Sequence, residues 1–396
     1  MWRRARPGTT RLRLSTTCLH RRPFAGLAPE TVEVPVGSNG SIKLDFYCPS
    51  APPSMVPGPP TVILYVPGGS ARLSSEDDES IIAALRAQLP FPVVQVNYRL
   101  DHDSRYPTPV HDILRAYDFV LTHLLPRRGI TRAGRSEHVG RIAVCGQWVG
   151  GGSLATALAL TECRAGQPGV AAAAICNPIV DWPGLQSLDH DSGLMAELLQ
   201  LRSRLFRKPE HYFDPCASPI LFFRSAGQAV PPPPTEAPSN DLDHLAFLDR
   251  EEFFREQLAL SALSNHNAEP STPETEVRRK ASKRYPSASL GLRLPMFHIS
   301  TGAESPVKDQ ATELTQALRR SHLRQLAASD FGKKVLLDEE IHELEGEDRE
   351  VELANRAAAE TKAQLVVHTG LGLWGATPGG RARATEAARW LRSVLL

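Results

Sequence analysis

Apolar and polar positions alternate along "TVEVPVGSNGSIKLDFY" on either side of Ser38-Asn39-Gly40. An Asn-Gly step between alternating runs predicts a tight hairpin, because the favoured two-residue turn needs positive φ at its centre. A Pro-rich loop follows from Pro49 to Pro60, and then Thr61 to Val66 is a continuous apolar run, the pattern of a strand buried on both faces. Ser74 to Leu89 reads as a helix with Ser74 or Ser75 as its cap. Pro92 to Val96 reads as another buried strand, and Thr108 to Leu125 as an amphipathic helix with Val110, Ile113, Leu114, Tyr117, Val120 and Leu121 on its apolar face. A strand from Ile142, a helix from Gly150 to Cys163 and a strand from Val170 to Cys176 continue the alternation. This rhythm predicts an α/β fold: a mostly parallel central sheet with helices on both faces.

The second half is less regular. Asp189 to Arg207 reads as a helix that could cover the top of the sheet, within a lid over about 181–219. Ile220 to Arg224 is a short apolar run. Pro231 to Pro234 opens a large insertion over about 225–290, with a helix-like Leu242 to Leu263 and a polar, Pro-bearing Ser264 to Ser289 expected to be a mobile loop. A strand resumes at Leu294 to Ser300, followed by a helix from Pro306 to Arg320. An acidic helical insertion over about 321–362, including "LDEEIHELEGEDREVELANRAAAE", reads as a solvated face. Leu365 to His368 is the last strand and Arg383 to Leu395 the closing helix. Residues 30–396 therefore read as a single domain without an internal repeat.

Composition narrows the function classes. The chain has 396 residues and a net charge of +1, so bulk charge gives no reason to expect a nucleic-acid partner. No run of roughly 18 apolar residues predicts a membrane span. The six cysteines are scattered without a CxxC pair, and Cys145 and Cys176 lie in apolar runs, so they read as reduced core residues. The 13 histidines are dispersed with no HExxH, and neither a metal nor another cofactor is expected. "GQWVGGGS" lacks the Gly-Lys-Ser/Thr ending of a phosphate loop. Residues 1–29 depart from this balance: seven arginines, interleaved apolar residues, and no acidic residue before Glu30. That composition predicts a mitochondrial transit peptide and a matrix location; the alternative is a basic tail on a cytoplasmic protein.

Three stretches carry a resemblance: "LYVPGGS", "VNYRLDHDSRYPTPVHDILRAYDFV" and "RIAVCGQWVGGGSLATALAL", extended by "CNPIVDW" and "DPCASPI". In this order the chain resembles the α/β-hydrolase fold, in the group of hormone-sensitive lipase and related carboxylesterases, with a texture similar to fungal members. The resemblance covers roughly Val32 to Pro219 and returns from Leu294. It implies a serine on a strained strand-to-helix turn, a histidine base, an orienting carboxylate, and backbone N–H groups that hold an oxyanion. Carried over, the turn falls on Gly146-Gln147-Trp148-Val149-Gly150, with both elbow glycines present and Trp148 at the serine place. The acid place falls on Ser305, with Glu304 beside it. The base place falls on Leu371, within Gly370-Leu371-Gly372, with His368 three residues earlier. Gly68, Gly69 and Val149 stand where the oxyanion donors would.

All three triad places are altered, while the glycines around them remain. The expectation is a catalytically degenerate protein acting as a binding, structural or assembly subunit, for a protein partner or a small hydrophobic ligand. The alternative is a carboxylic ester hydrolase with a displaced nucleophile, of the kind found in fungal secondary metabolism, using Ser153 with Glu304 and His368 as rescue residues. A third reading is a pocket that steers a non-hydrolytic rearrangement through its oxyanion donors. Trp148 reads as a plug in the acyl cavity or as a platform for a planar ligand. Asp112 reads as a cap or as a partner of Arg99, and His298 as a satisfied core residue.

Overall fold

A computed structural model describes residues 29–37, 40–49, 59–69, 74–100, 104–125, 139–187, 193–227, 280–327 and 347–396. Its strands are β1 (Glu30–Pro35), β2 (Ser41–Tyr47), β3 (Thr61–Val66), β4 (Val93–Asn97), β5 (Arg141–Gln147), β6 (Gly169–Cys176), β7 (Met296–Gly302) and β8 (Ala363–His368). They form one sheet in the order β1-β2-β4-β3-β5-β6-β7-β8. β1 and β2 pair antiparallel, as the hairpin pattern predicts, and β2 pairs antiparallel with β4. Every later pairing is parallel. Long crossovers are what parallel neighbours require, and helices supply them here.

The helices are α1 (Ser75–Gln88), α2 (Thr108–His123), α3 (Ala157–Thr161), α4 (Gly193–Leu205), α5 (Lys308–Ala327), α6 (Glu347–Lys362) and α7 (Pro378–Leu395). α1 is fixed at its start by a reciprocal cap: Asp77 N donates to Ser74 Oγ at 3.2 Å, and Ser74 N to Asp77 Oδ2 at 3.0 Å. Alternation along the central strands splits the core in two. Val62, Leu64, Ile142 and Val144 face the side that holds α2, Trp148 and Trp182. Ile63, Tyr65, Ala143 and Cys145 face α1 and α7. The described cysteines are free thiols, and Cys145 and Cys176 are buried as expected.

Two helices differ from their periodicity. α2 buries Asp112, Ile113, Ala116, Tyr117, Phe119 and Val120, whereas Leu114 is 36% exposed. The rotation follows from Asp112, which accepts from Arg99 N and Nε at 3.0 Å and from Nη2 at 2.6 Å. A carboxylate so engaged is drawn inward with its helix face, and the expected Arg99 pairing is present. The helix expected over Gly150–Cys163 instead begins as a π-helical turn, Gly150–Thr156, and α3 ends at Thr161. Its glycines lie against backbone: a Cβ at Gly152 would stand 2.2 Å from Ile179 N. The short apolar run Ile220 to Arg224 begins within a 3-10 turn, Pro219–Phe222.

The expected transit segment (apart from its last residue), the hairpin apex at 38–39, the inserted helix Leu242–Leu263 and residues 328–346 of the acidic stretch lie outside the described residues. Among the described residues no helix is long and apolar enough to cross a membrane.

Candidate functional site

β5 runs buried from Ile142 to Gln147 and ends at Trp148, whose φ is 52°. Val149 then takes helical angles, φ −61° and ψ −47°. A bulky residue in the left-handed region costs about 1–2 kcal/mol and persists only when its surroundings impose it. The surroundings here are backbone. A Cβ at Gly146 would lie 2.7 Å from Val66 O, and one at Gly150 only 2.1 Å from Pro67 O. Both positions are therefore restricted to glycine, and they squeeze the turn between β3 and the following helix.

Trp148 is 2% exposed and belongs to the core cluster that holds Tyr106, Leu154, Ile179, Trp182, Met195 and Phe206. Its Nε1 is buried and has no hydrogen-bond partner among the described residues. The glycine loop approaches the turn from β3. Gly68 is buried, Gly69 has φ 67°, and Tyr98 occupies the space a side chain at Gly69 would need, with Oη 2.4 Å from a would-be Cβ. Tyr98 Oη also donates to Pro67 O at 2.9 Å.

Ser153 lies inside the π-helical turn, fully enclosed. Its Oγ accepts from Trp182 Nε1 at 2.8 Å and donates to Ile179 O at 3.2 Å. Cys145 is fully buried, and burial pushes its thiol far above the usual range, away from a thiolate.

The other two loops meet at the same end of the sheet. Ser305 is buried, its N donates to Gly302 O at 3.2 Å, and its Oγ accepts from Val307 N at 3.4 Å, a local turn cap. Glu304 is exposed, and only its backbone N reaches across, to Gly370 O at 3.0 Å. Leu371 is half-buried. Asn177 joins these loops: its Nδ2 donates to Leu371 O at 2.7 Å, and its Oδ1 accepts from Thr301 Oγ1 at 2.9 Å and Gly302 N at 3.3 Å. Gly302 and Gly372 interlock so closely that a Cβ at Gly372 would stand 2.5 Å from Gly302 N. Gln147 ties in the turn, accepting from Trp374 N at 3.3 Å. The fold thus brings the loops of Trp148, Ser305 and Leu371 to one edge, where the three side chains offer an indole, a capped hydroxyl and an alkyl group.

His368 ends β8 opposite Gly302, half-buried. Burial lowers its pKa; Glu386 raises it and Arg383 lowers it, both from α7. Its electrostatic neighbours are thus on the α7 side of the sheet, whereas Ser153 packs with Trp182. His298 is buried beside Trp390, with ring centroids 5.3 Å apart, so it lies in the core as expected, and among the described residues its Nδ1 has no hydrogen-bond partner. An open surface cleft of about 470 Å³, lined by Glu76, Glu79, Ser80, Arg381 and Thr385 among others, lies between α1 and α7, on the opposite face from Trp148. Among the described residues no His, Cys, Asp and Glu group converges as a metal site.

Asn177 and Gln147 escape a reading of the sequence that looks for reactive groups. The signal for Asn177 is its type: at a strand end, with φ 44°, asparagine is the residue besides glycine that tolerates the left-handed region.

Residues 63–242 match a family model described as alpha/beta hydrolase fold. The chain is similar in structure to carboxyl esterase 2 from the mycorrhizal fungus Tuber melanosporum, with 14% identity over 95% of this chain and 89% of that one and a TM-score of 0.52. It is also similar to EstE1, a thermophilic and thermostable carboxylesterase cloned from a metagenomic library, with 18% identity over 96% of this chain and 92% of that one and a TM-score of 0.51. No curated protein matches the chain. At these identities the likeness concerns the fold.

Proposed function

We propose, for a chain whose α/β-hydrolase fold carries Trp148 at the apex of its strand-to-helix turn, a role without ester hydrolysis: a binding, structural or assembly subunit built on a hydrolase scaffold. One observation carries this reading. The residue at the turn with φ 52° is a buried tryptophan, and indole has one N–H donor and no atom that can attack a carbonyl. Loss of a nucleophile from a serine triad can cost about 10⁶ in turnover. Ser305 and Leu371 at the acid and base places weigh on the same side. At 2% exposure the indole acts as a plug, filling volume that an acyl group would need, rather than as an open platform.

The rival reading, a carboxylesterase with Ser153 as displaced nucleophile, has less support. That hydroxyl is engaged by Trp182 and Ile179, and the exposed Glu304 and the α7-facing His368 give it no relay. The arginine-rich residues 1–29 support residence in the mitochondrial matrix, where mass spectrometry of the mature N-terminus would show their removal; an intact N-terminus in the cytoplasmic fraction would refute it.

The test uses purified protein with a fluorophosphonate probe and p-nitrophenyl esters of short acids. The expected result is no labelling and no rate above buffer. Stoichiometric labelling that disappears in Ser153→Ala would overturn the reading in favour of the esterase.

A further inference from the structure

Positive charge collects at the end of the parallel strands away from Trp148. β7 begins at Met296 and β8 at Ala363, which stands beside Phe297 in register. The end of α5 lies over both starts. Arg319 Nε donates to Ala363 O at 2.9 Å, Gln325 Nε2 to Leu292 O at 2.9 Å, and Leu294 N to Gln325 Oε1 at 3.3 Å. The stretch leading into β7, "KASKRYPSASLGLR" over 280–293, holds four basic residues and no acidic one. Arg320 and Arg324, a turn apart on α5, and Lys362, just before β8, add to it. Partial burial, then Arg320 and Arg284, lowers the pKa of Arg324; partial burial, then Arg293, lowers that of Lys362. Arg284, Arg293, Arg320, Arg324 and Lys362 make no ion pair among the described residues. The acids nearby are engaged elsewhere: Glu360 pairs with Arg319 at 3.4 Å, and Glu162 has Arg164 as its electrostatic neighbour.

An apolar side chain stands among these cations. Leu290 closes the 3-10 turn Ala288–Leu290 and is 52% exposed. The turn is built rather than frayed. Ala165 N donates to Gly291 O at 3.0 Å, Arg293 N donates to Cys163 O at 2.8 Å, and Arg164 and Leu292 form an antiparallel bridge. A leucine is thus held out into water between Arg284 and Arg293. The one aromatic residue of the stretch, Tyr285, is buried and donates from Oη to Leu160 O at 2.7 Å, so the stretch offers no platform for stacking bases.

We propose that this end of the sheet docks reversibly on a bilayer surface rich in anionic phospholipid, with Leu290 entering the headgroup boundary and the surrounding arginines and lysines facing lipid phosphates. Such binding draws on buried apolar area and on attraction between basic side chains and anionic lipid, and it needs no spanning helix. One leucine with a handful of cations gives a weak, salt-sensitive attachment rather than a permanent anchor. Docked in this way, the protein presents its Trp148 end away from the membrane. The inference does not depend on whether the protein hydrolyses esters.

Co-sedimentation of the purified full chain with vesicles tests it. The expected result is pelleting with vesicles of equal parts phosphatidylcholine and phosphatidylglycerol, none with phosphatidylcholine alone, and release as salt is raised. Arg284→Gln and Arg320→Gln, both at exposed positions, should each lower the partition coefficient about fivefold. Leu290→Ser should lower it by about tenfold. Melting temperatures within about 2 °C of the parent would show that the variants keep their fold. Failure to pellet with the anionic vesicles, or equal pelleting with phosphatidylcholine alone, would overturn the proposal. Pelleting indifferent to all three substitutions would place the attachment on the arginine-rich residues 1–29 and overturn it as well. Sensitivity to the arginine changes without sensitivity to Leu290→Ser would reassign the patch to a soluble polyanion such as RNA, against the proposal.

Discussion

Trp182 Nε1 donates to Ser153 Oγ at 2.8 Å in the closed interior, and the same hydroxyl donates onward to Ile179 O. The serine is thus the middle of a short chain that seats the indole of Trp182 on the π-helical turn. Ser153→Ala would leave a buried indole N–H without an acceptor, which costs about 1–3 kcal/mol. Urea unfolding should show that loss, with fluorophosphonate labelling at background in both proteins. Unchanged stability would mean that the hydroxyl is not a structural partner.

Glycines around the turn should separate by what stands beside them. Gly150→Ala places a methyl group 2.1 Å from Pro67 O, a backbone atom with no freedom to retreat, and should destabilise by about 3 kcal/mol or more. Gly370→Ala meets nothing within 4 Å and carries only the strain of its φ of 69°, about 1–2 kcal/mol. Thermal melts of the two variants should rank in that order.

Acid should weaken the fold through two buried histidines. Burial, then His368, lowers the pKa of His298 to about 4; burial, then Lys362, lowers that of His322 to about 4. In the unfolded chain both titrate near 6.5. The folded state then binds fewer protons than the unfolded state between these values. The stability is fully present above about pH 6.5 and declines as pH falls towards 4, by up to about 3 kcal/mol for each histidine. Denaturant midpoints measured from pH 7.5 to 4 should fall through this window, and His298→Phe should flatten the fall.

The Asp181–Arg224–Glu313 group should behave as a buried ion pair with one hydrated edge. Asp181 and Arg224 are 5% and 7% exposed at their side chains, whereas Glu313 is 34% exposed. Arg224→Ala strands the Asp181 carboxylate in the interior and should cost about 3–5 kcal/mol. Arg224→Met with Asp181→Leu removes both buried charges and should cost less than the single change, which a double-mutant cycle would read directly.

The sheet was legible in the chain because its strands announce themselves. Thr61–Val66 is apolar at nearly every position and is buried at every position, as a strand covered on both faces must be. Ser74 signals its helix through a short hydroxyl that accepts from the backbone N of Asp77 in the first turn. The apolar pattern of α2 misled at Leu114 because a buried salt bridge outweighs one leucine, and no periodicity scale registers a charge that will be paired. Gly150-Gly151-Gly152 has no side-chain pattern, so its π-helical form depends on the strand ends packed against it. Trp148, Ser305 and Leu371, which the fold brings to one end of the sheet, lie in stretches that the sequence motifs single out. Their mutual arrangement could not be read, because it rests on Asn177, a residue that joins two loops lying 124 and 194 positions from it in sequence.

The left-handed backbone at Trp148 has a broader implication. A side chain without nucleophilic atoms occupies a conformation that aromatic residues avoid, and the bend is there all the same. Carbonyls from the neighbouring strand and the crowding of Gly146 and Gly150 dictate its shape, so the bend belongs to the architecture and presents whichever residue the gene encodes. In such a scaffold, reactivity and foldability are separable properties, and a single codon can exchange one occupant for another while the frame around it stands.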